Sequence, residues 1–245
     1  MVEPVHPVRS ITSTADESQL NDAFRDPAVR AIFVGPGNGA HRIADRLDFD
    51  AVRRDPKPVI GRGQATYLQL ALWRECGLPC IHGSLAEHAL TTEPTTLASD
   101  PGEISAQVLV EGRAEGVLLG GTLNAITRSI GAGLPSLDST ILLLEDTRMI
   151  GLGVIDRSLT QLIRSGVLRG VRGIALGRFT GFDGYADRDW TLVDVLSDRL
   201  ANLGIPVLGG LPVGDGAESR ATPIGTRATL DTSAGTLIVG AAVNG

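Results

Sequence analysis

The sequence feature that most suggests chemistry is a sharp turn, Gly61-Arg62-Gly63-Gln64, between a predicted strand and a predicted helix. A turn of this shape often holds a nucleophile at its tip, where the side chain faces the substrate. Here the tip residue is Gly63, which has no side chain. Arg62 is suited to bind a carboxylate or phosphate, although a solvated arginine at a turn explains it equally well. The turn therefore predicts a substrate-binding site in which the turn itself supplies no nucleophilic side chain.

Two acidic residues are the candidates for proton transfer. Glu145 ends the apolar run "TILLL", and Asp215 lies between Gly214 and Gly216. Two carboxyl groups in one apolar pocket can divide the roles of acid and base. We predict that Glu145 is the acid and Asp215 the base. The open alternative is that Asp215 is a solvated loop residue.

A glycine-rich segment, "GPGNGA", follows the short apolar run "AIFVG". Backbone amides of Gly37, Asn38 and Gly39, with that of Gln64, are predicted to point into one cleft, where they could stabilise an oxyanion. The segment also fits the dinucleotide fingerprint G-x-G-x-x-A, but Pro36 lies inside the phosphate turn. We therefore predict no nicotinamide cofactor, no other cofactor and no metal site.

Strand-like and helix-like runs alternate through the first third of the chain, which indicates an α/β fold with a parallel sheet. Residues 1–14 have little periodicity and are predicted to form an arm. Asp16 is a predicted N-cap. "HRIADRL" is predicted to be a short helix, and "ATYLQLALWREC" a longer one that ends at Gly77.

After this region the composition changes to threonine, proline, serine and glycine, as in "TTEPTTLASDPG". The later chain is rich in short β-type runs, interrupted by predicted helices over 156–165 and 193–203. A final strand pair is predicted to turn at Ser233-Ala234-Gly235. We predict two small domains: a truncated N-terminal parallel α/β layer over 1–90, a linker over 91–112, and a β-rich α/β C-terminal domain over 113–245.

Composition excludes several classes of protein. The 245 residues carry 22 Lys plus Arg against 28 Asp plus Glu, a net charge of -6, and no basic run. A nucleic-acid partner would require a clustered basic face. No apolar run is long enough to span a bilayer, and two cysteines form no disulfide framework. These features predict a cytoplasmic protein with neither a membrane nor a nucleic-acid partner.

Six segments together resemble the LD-carboxypeptidase family, which includes the microcin C self-immunity peptidases. They are "LNDAFRDPAVRAIFVGPGNGAHRIADRLDFDAVRRDPKPVIG", "GLPCIHG", "GVLLGGTLNAI", "TILLLEDT", "VIDRSLTQLIRSGVLRGVRGIALGRF" and "GIPVLGGLPVGDG". The resemblance runs from about Leu20 to the C-terminus. It implies a two-domain serine peptidase fold with a Ser-Glu-His triad, a site in the cleft between the domains, and a homodimer.

The chain departs from the family pattern at the residues that matter for catalysis. The family reads Gly-Tyr-Ser-Asp at the turn, so its serine position is Gly63. Its histidine follows a glycine, and that position is Asp215. Glu145 matches the family glutamate. Arg157, in a segment that matches the family's "idR", could bind a substrate carboxylate or form a structural ion pair. The family also begins about one strand-helix-strand unit earlier.

These departures predict a protein that has lost peptidase chemistry. We expect a non-hydrolytic enzyme of cyclase, isomerase or lyase type that acts on a small biosynthetic intermediate, with Glu145 and Asp215 as acid and base. One alternative is a non-catalytic pseudopeptidase that binds a peptide-like ligand or partner. Another is a residual LD-carboxypeptidase or amidase.

Overall fold

The computed structural model describes residues 8–12, 16–84, 92–149 and 151–242. They form two mixed sheets, a two-stranded antiparallel sheet of β10 and β11, and helices, so the α/β class predicted from the sequence is confirmed. The helices are α1 Glu17–Arg25, α2 Phe49–Arg54, α3 Ala65–Cys76, α4 Leu123–Arg128, α5 Leu152–Arg164 and α6 Leu192–Leu200. The strands are β1 Val8–Ile11, β2 Ala31–Val34, β3 Val59–Gly61, β4 Cys80–His82, β5 Thr95–Ala98, β6 Leu109–Val110, β7 Arg113–Thr122, β8 Thr140–Thr147, β9 Gly173–Thr180, β10 Ala186–Asp187, β11 Trp190–Thr191, β12 Val207–Leu208, β13 Thr222–Ile224, β14 Thr226–Asp231 and β15 Thr236–Val239.

The first sheet has five strands in the order β1-β2-β3-β4-β13. Strands β1 to β4 are parallel, as the strand-helix alternation predicts, and β13 is antiparallel to β4. The prediction of an arm over 1–14 is wrong for the part that the structure describes, because 8–11 form β1. Ile11 is 1% exposed, so even this short run contributes to the core. The remainder of the predicted arm, 1–7 and 13–14, lies outside the described residues.

The second sheet has eight strands in the order β5-β15-β14-β7-β8-β9-β12-β6. Its centre is parallel, because β7, β8 and β9 run in one direction. The final strand pair predicted from the sequence is present as β14 and β15, joined by a tight turn. Buried aliphatic residues of β8 and β9 pack against α5 and α6 and form one of the two main core clusters.

Two of the predicted boundaries differ from the structure. The segment expected as a linker, 91–112, contributes β5 and β6 to the two edges of the large sheet, where backbone pairing organises a sequence with no periodicity. In addition, β13 lies within the predicted C-terminal domain but joins the N-terminal sheet beside β4. The two layers are therefore joined by strand pairing as well as by packing.

Helix ends follow ordinary capping chemistry. Asp16 accepts a hydrogen bond from the amide of Gln19, which confirms it as the N-cap of α1. Gly77 has φ +61° and ends α3, as predicted. The segment "HRIADRL" forms only a 3-10 turn over Ala40–Arg42, and α5 and α6 begin earlier than predicted, at Leu152 and Leu192. None of the helices in the described part of the chain has the length and apolar character needed to cross a bilayer.

Lys57 is a fully buried cation that ties the end of α1 to the start of β3. Its Nζ donates to the carbonyl oxygens of Ala23 at 3.0 Å, Phe24 at 2.9 Å and Asp26 at 2.5 Å. The carboxylate of Asp55 lies 3.2 Å away. The carbonyl groups at the end of a helix have no partner within the helix, and the ammonium group supplies donors for them.

We expect Lys57→Met to destabilise the protein by about 3–5 kcal/mol, because the buried carbonyl groups of Ala23 and Phe24 would lose their donor and Asp55 would lose one of its two cations. Arg54→Met, an exposed change on α2, is the matched control and should change stability by less than about 0.5 kcal/mol. Urea unfolding monitored by circular dichroism measures both. Equal unfolding midpoints for the two variants would contradict this role for Lys57.

Candidate active site

A cavity of about 660 Å³ lies where the carboxyl ends of strands from both sheets meet. Ligands of α/β proteins commonly bind at this edge of a sheet, and the volume suits a small ligand. The cavity is lined by Pro36, Gly37, Asn38, Arg62, Gly63, Gln64, Thr122, Asn124, Ala125, Arg128, Glu145, Asp146, Thr147, Met149, Gly151, Val154, Ile155, Phe182 and Asp215.

Thr122 and Glu145 are neighbours because β7 and β8 are parallel and in a register that pairs the two residues. Thr122 is the last residue of β7, and Glu145 lies two residues before the end of β8. The hydroxyl of Thr122 donates to Oε1 of Glu145 at 2.5 Å. Glu145 is 4% exposed, so its carboxyl group is held in place by the protein more than by water. The pair forms a hydroxyl and a carboxylate in direct hydrogen-bond contact in the cavity.

His82 approaches the same carboxyl oxygen from the N-terminal sheet. Its Nε2 lies 3.3 Å from Oε1 of Glu145, and its side chain is fully buried. Neither ring nitrogen has a hydrogen bond of good geometry to any described residue. The close approach is possible because Gly121 has no side chain: a Cβ there would lie 2.8 Å from Oγ1 of Thr66 and 3.0 Å from the His82 ring.

Asp146 adds a second carboxyl group next to Glu145. Consecutive residues of a regular strand face opposite sides, but β8 has an irregularity in register between Leu144 and Asp146, so both carboxyl residues line the cavity. The amides of Asn124 and Thr147 donate to Asp146. Burial, and then the charge of Glu145, raise the pKa of Asp146 to about 6.

The turn over 61–64 forms one wall of the cavity and opens helix α3. Gly63 has φ +63°, and a Cβ built on it would have no atom within 4 Å, so the tip faces open space. The hydrogen bonds of the turn start at the amide of Ala65, which donates to Arg62. The preceding amides of Gly63 and Gln64 are thus not used by the turn itself. Oε1 of Gln64 is buried without a partner among the described residues.

Asp215 lies at the rim of the cavity and pairs with the turn. Its Oδ1 is 2.8 Å from the guanidinium of Arg62, and its side chain is 50% exposed. Its carbonyl oxygen accepts a hydrogen bond from Thr180. Asp215 and Glu145 both line the cavity, as predicted, but they differ in surroundings: Asp215 is neutralised by Arg62, and Glu145 is held by Thr122.

The structure brings together seven of the nine residues predicted for the site: Gly37, Asn38, Arg62, Gly63, Gln64, Glu145 and Asp215. Gly39 and Arg157 do not line the cavity. Gly39, with φ +104°, shapes the start of the 3-10 turn. Arg157 lies on the exposed face of α5.

Sequence reasoning missed Thr122, Asn124, Arg128 and Asp146 as cavity residues. The signal for Thr122, Asn124 and Arg128 was the sequence "GGTLNAITR", in which two glycines and a threonine end a strand immediately before a helix. The carboxyl end of a parallel strand at such a junction is a place where ligands commonly bind. Asp146 was missed because a regular strand would place it on the face opposite Glu145, and the sequence does not show the irregularity that turns Asp146 toward the cavity.

The fold and site define a protein of the LD-carboxypeptidase class, and comparison with known proteins shows the family. The N-terminal domain of the LD-carboxypeptidase family matches residues 8–83, and the C-terminal domain matches 115–230. A Streptomyces coelicolor protein named as a carboxypeptidase is 35% identical, over 90% of this chain and 74% of its own. The murein tetrapeptide carboxypeptidase of Pseudomonas aeruginosa is 30% identical, over 91% and 80%. The chain belongs to the LD-carboxypeptidase family.

A solved structure supports the same fold. The muramoyltetrapeptide carboxypeptidase of Oxalobacter formigenes superposes with a TM-score of 0.78, covering 91% of this chain and 82% of that one. Its sequence identity is 24%, so the likeness bears on the fold alone.

These findings correct the function predicted from the sequence. The prediction of a cyclase, isomerase or lyase is wrong, because relatives that span most of the chain are named as carboxypeptidases. The alternative of a pseudopeptidase with a degenerate catalytic triad is contradicted by the same finding. The names of the relatives favour the remaining alternative, a residual LD-carboxypeptidase or amidase.

Asp146 makes stability depend on pH. Its pKa in the folded protein, about 6, exceeds the ordinary aspartate value of 3.8, so its favourable contribution is complete below about pH 4 and is lost as pH rises through 6. We expect the free energy of unfolding of the wild type, relative to Asp146→Asn, to fall by roughly 3 kcal/mol between pH 4 and pH 8. Denaturant titrations across this range measure it, and a pH-independent difference would contradict the buried carboxyl group.

Proposed function

We propose that this protein is a carboxypeptidase that hydrolyses the bond before the C-terminal D-residue of a murein-type peptide, bound in the 660 Å³ cavity. The observation that carries the proposal is the buried carboxyl group of Glu145, held by a hydroxyl within this cavity. Membership of the LD-carboxypeptidase family supports the reaction type. The relatives named as murein peptidases support the substrate class.

Amide hydrolysis needs a base and a group of donors for the developing oxyanion. Glu145 is placed to act as the base, because it is buried at the end of β8 and lines the cavity. The amides of Gly63 and Gln64 precede the first hydrogen-bonded amide of the turn, so they are available as donors. This assigns the turn to oxyanion binding and the end of β8 to proton transfer.

A carboxypeptidase also needs a cation for the terminal carboxylate of its substrate. Five charged side chains line the cavity: Arg62, Arg128, Glu145, Asp146 and Asp215. Arg62 pairs with Asp215. Arg128, the last residue of α4, makes no ion pair with any described residue, although its charge lowers the pKa of Asp146. A guanidinium group binds a carboxylate in a two-pronged geometry, and we assign this role to Arg128.

The proposal is tested by incubating the purified protein with an L,D-linked murein tetrapeptide and measuring the released C-terminal D-residue. The wild type should turn over, and Glu145→Gln should lower kcat/KM by about 10²–10⁴-fold, because glutamine keeps the shape but cannot take the proton. Circular dichroism should show that the variant folds. A purified wild type that releases no D-residue from any L,D-linked peptide would overturn the function.

Arg128 should affect substrate binding more than the chemical step. We expect Arg128→Gln to raise KM by about 10–100-fold with a smaller change in kcat, because a charge-assisted hydrogen bond is lost. Arg128→Lys should recover part of the loss. Arg157→Gln, on the exposed face of α5, is the matched control and should leave both constants unchanged. An equal effect of the changes at positions 128 and 157 would remove Arg128 from the binding site.

Two further features remain proposals. We propose that two copies of the chain pair as a homodimer, on the basis of the family resemblance, and light scattering at micromolar concentration would detect the pair. We also propose that the protein acts in the cytoplasm, which is supported by the unpaired thiols of Cys76 and Cys80.

A further inference from the structure

The tip of the turn supplies no side-chain nucleophile for the proposed hydrolysis. Gly63 offers only backbone at that position. A hydroxyl nucleophile requires a base within hydrogen-bond reach, and the hydroxyl itself has to be accessible to the substrate. Two threonines, Thr122 and Thr147, line the cavity. Of these, Thr122 is the one whose hydroxyl contacts Glu145.

We propose that Thr122 is the catalytic nucleophile and that Glu145 is its direct base, an inference that rests on the proposed hydrolytic function. The 2.5 Å contact between Oγ1 of Thr122 and Oε1 of Glu145 already has the donor and acceptor of the first proton transfer in place. Such contacts are often longer in unliganded sites. Here the two oxygen atoms are already within hydrogen-bond distance, so the proton transfer needs no rearrangement.

Thr122 is fixed by two contacts, and a third acts on its base, Glu145. The register of β7 with β8 places its Cα beside that of Glu145. Its backbone amide donates to Oγ1 of Thr66 at 3.3 Å, which anchors it to the start of α3. On the far side of the carboxyl group, Nε2 of His82 lies 3.3 Å from the same oxygen of Glu145. A nucleophile held this way loses little entropy on reaching its reactive geometry.

Thr66 does not compete for this role. Its side chain is fully buried, it does not line the cavity, and its oxygen accepts the amide of Thr122. Thr66 is therefore a positioning residue. Asp215 also cannot act as the base for Thr122 in this arrangement, because its carboxylate is engaged by Arg62 at the rim.

The reaction balances with the groups present and water. Oγ1 of Thr122 bonds to the carbonyl carbon while its proton passes to Glu145. The carbon–nitrogen bond then breaks, Glu145 gives the proton to the leaving amine, and the D-residue departs. Water attacks the resulting ester while Glu145 takes its proton. The ester carbon–oxygen bond breaks, and the proton returns to Thr122, so no oxidant or reductant is needed.

A fluorophosphonate probe, which reacts covalently with activated hydroxyl groups, tests the assignment without any peptide substrate. Digestion and mass spectrometry should find the label on Thr122 in the wild type. Thr122→Val and Glu145→Gln should abolish labelling. Thr122→Ser should retain it, because serine keeps a hydroxyl group at this position. The control Thr127→Val lies on α4, the helix that follows Thr122, and its hydroxyl donates to the carbonyl of Leu123; this variant should be labelled like the wild type.

Turnover of the L,D-linked tetrapeptide separates the two proposals. Thr122→Val should lose at least about 10³-fold in kcat, whereas Thr122→Ser should stay within about tenfold of the wild type. Turnover by Thr122→Val within tenfold of the wild type would overturn Thr122 as nucleophile and leave the carboxypeptidase function intact. A wild type that is labelled at Thr122 but releases no D-residue would support the nucleophile and overturn the function. A label on any other residue overturns the nucleophile.

Discussion

The pairing of β7 with β8 in one register is the constraint on which the site depends. Thr122 and Glu145 are 23 residues apart in sequence, and only this register places a hydroxyl against a buried carboxyl group. A shift of the register by one residue would turn one side chain of the pair to the opposite face of the sheet. Long apolar runs on both strands fix the register, because Leu118 and Leu119 of β7 and the leucines of β8 are buried. The placement of the polar pair is therefore specified by the packing of the apolar residues that precede it on each strand.

Glycines at the end of β7 connect this register to the N-terminal sheet. A Cβ at Gly121 would press on Thr66 and on the ring of His82, and at Gly120 it would collide with the backbone of Leu143. Both glycines have φ near +135°, a conformation that other residues rarely adopt. Because Gly121 has no side chain, α3 and β4 approach the large sheet closely enough for His82 to reach Glu145. In addition, β13, which directly precedes β14 of the large sheet, pairs with β4 and so joins the two sheets.

The part of the site predicted from the sequence is the part carried by local patterns. The strand-turn-helix over 59–76 and the end of β8 are continuous in sequence, so Gly63, Gln64 and Glu145 could be identified before the fold was known. The position of Asp146 in the cavity and the contact between Thr122 and Glu145 could not, since the first depends on a strand irregularity and the second on the pairing of distant strands. Arg157 was assigned by segment resemblance alone, and helix geometry places it on the exposed face. The linker prediction failed for the same reason: edge strands such as β5 and β6 are organised by their neighbours, not by periodicity.

Under the proposed function, the charges of the cavity would place the cleaved bond one residue from the end of a peptide. Arg62 and Asp215 neutralise each other at the rim, which leaves two adjacent carboxyl groups, Glu145 and Asp146, and the guanidinium of Arg128 among the charged groups that line the cavity. The carboxyl groups of Glu145 and Asp146 would repel a terminal carboxylate and Arg128 would attract it, so the carboxylate would be directed to the end of α4. The preceding peptide bond would then lie between the turn at Gly63 and the end of β8. Because β7 runs directly into α4 through Thr122, the six residues of α4 would separate the site of cleavage from the group proposed to bind the end of the substrate.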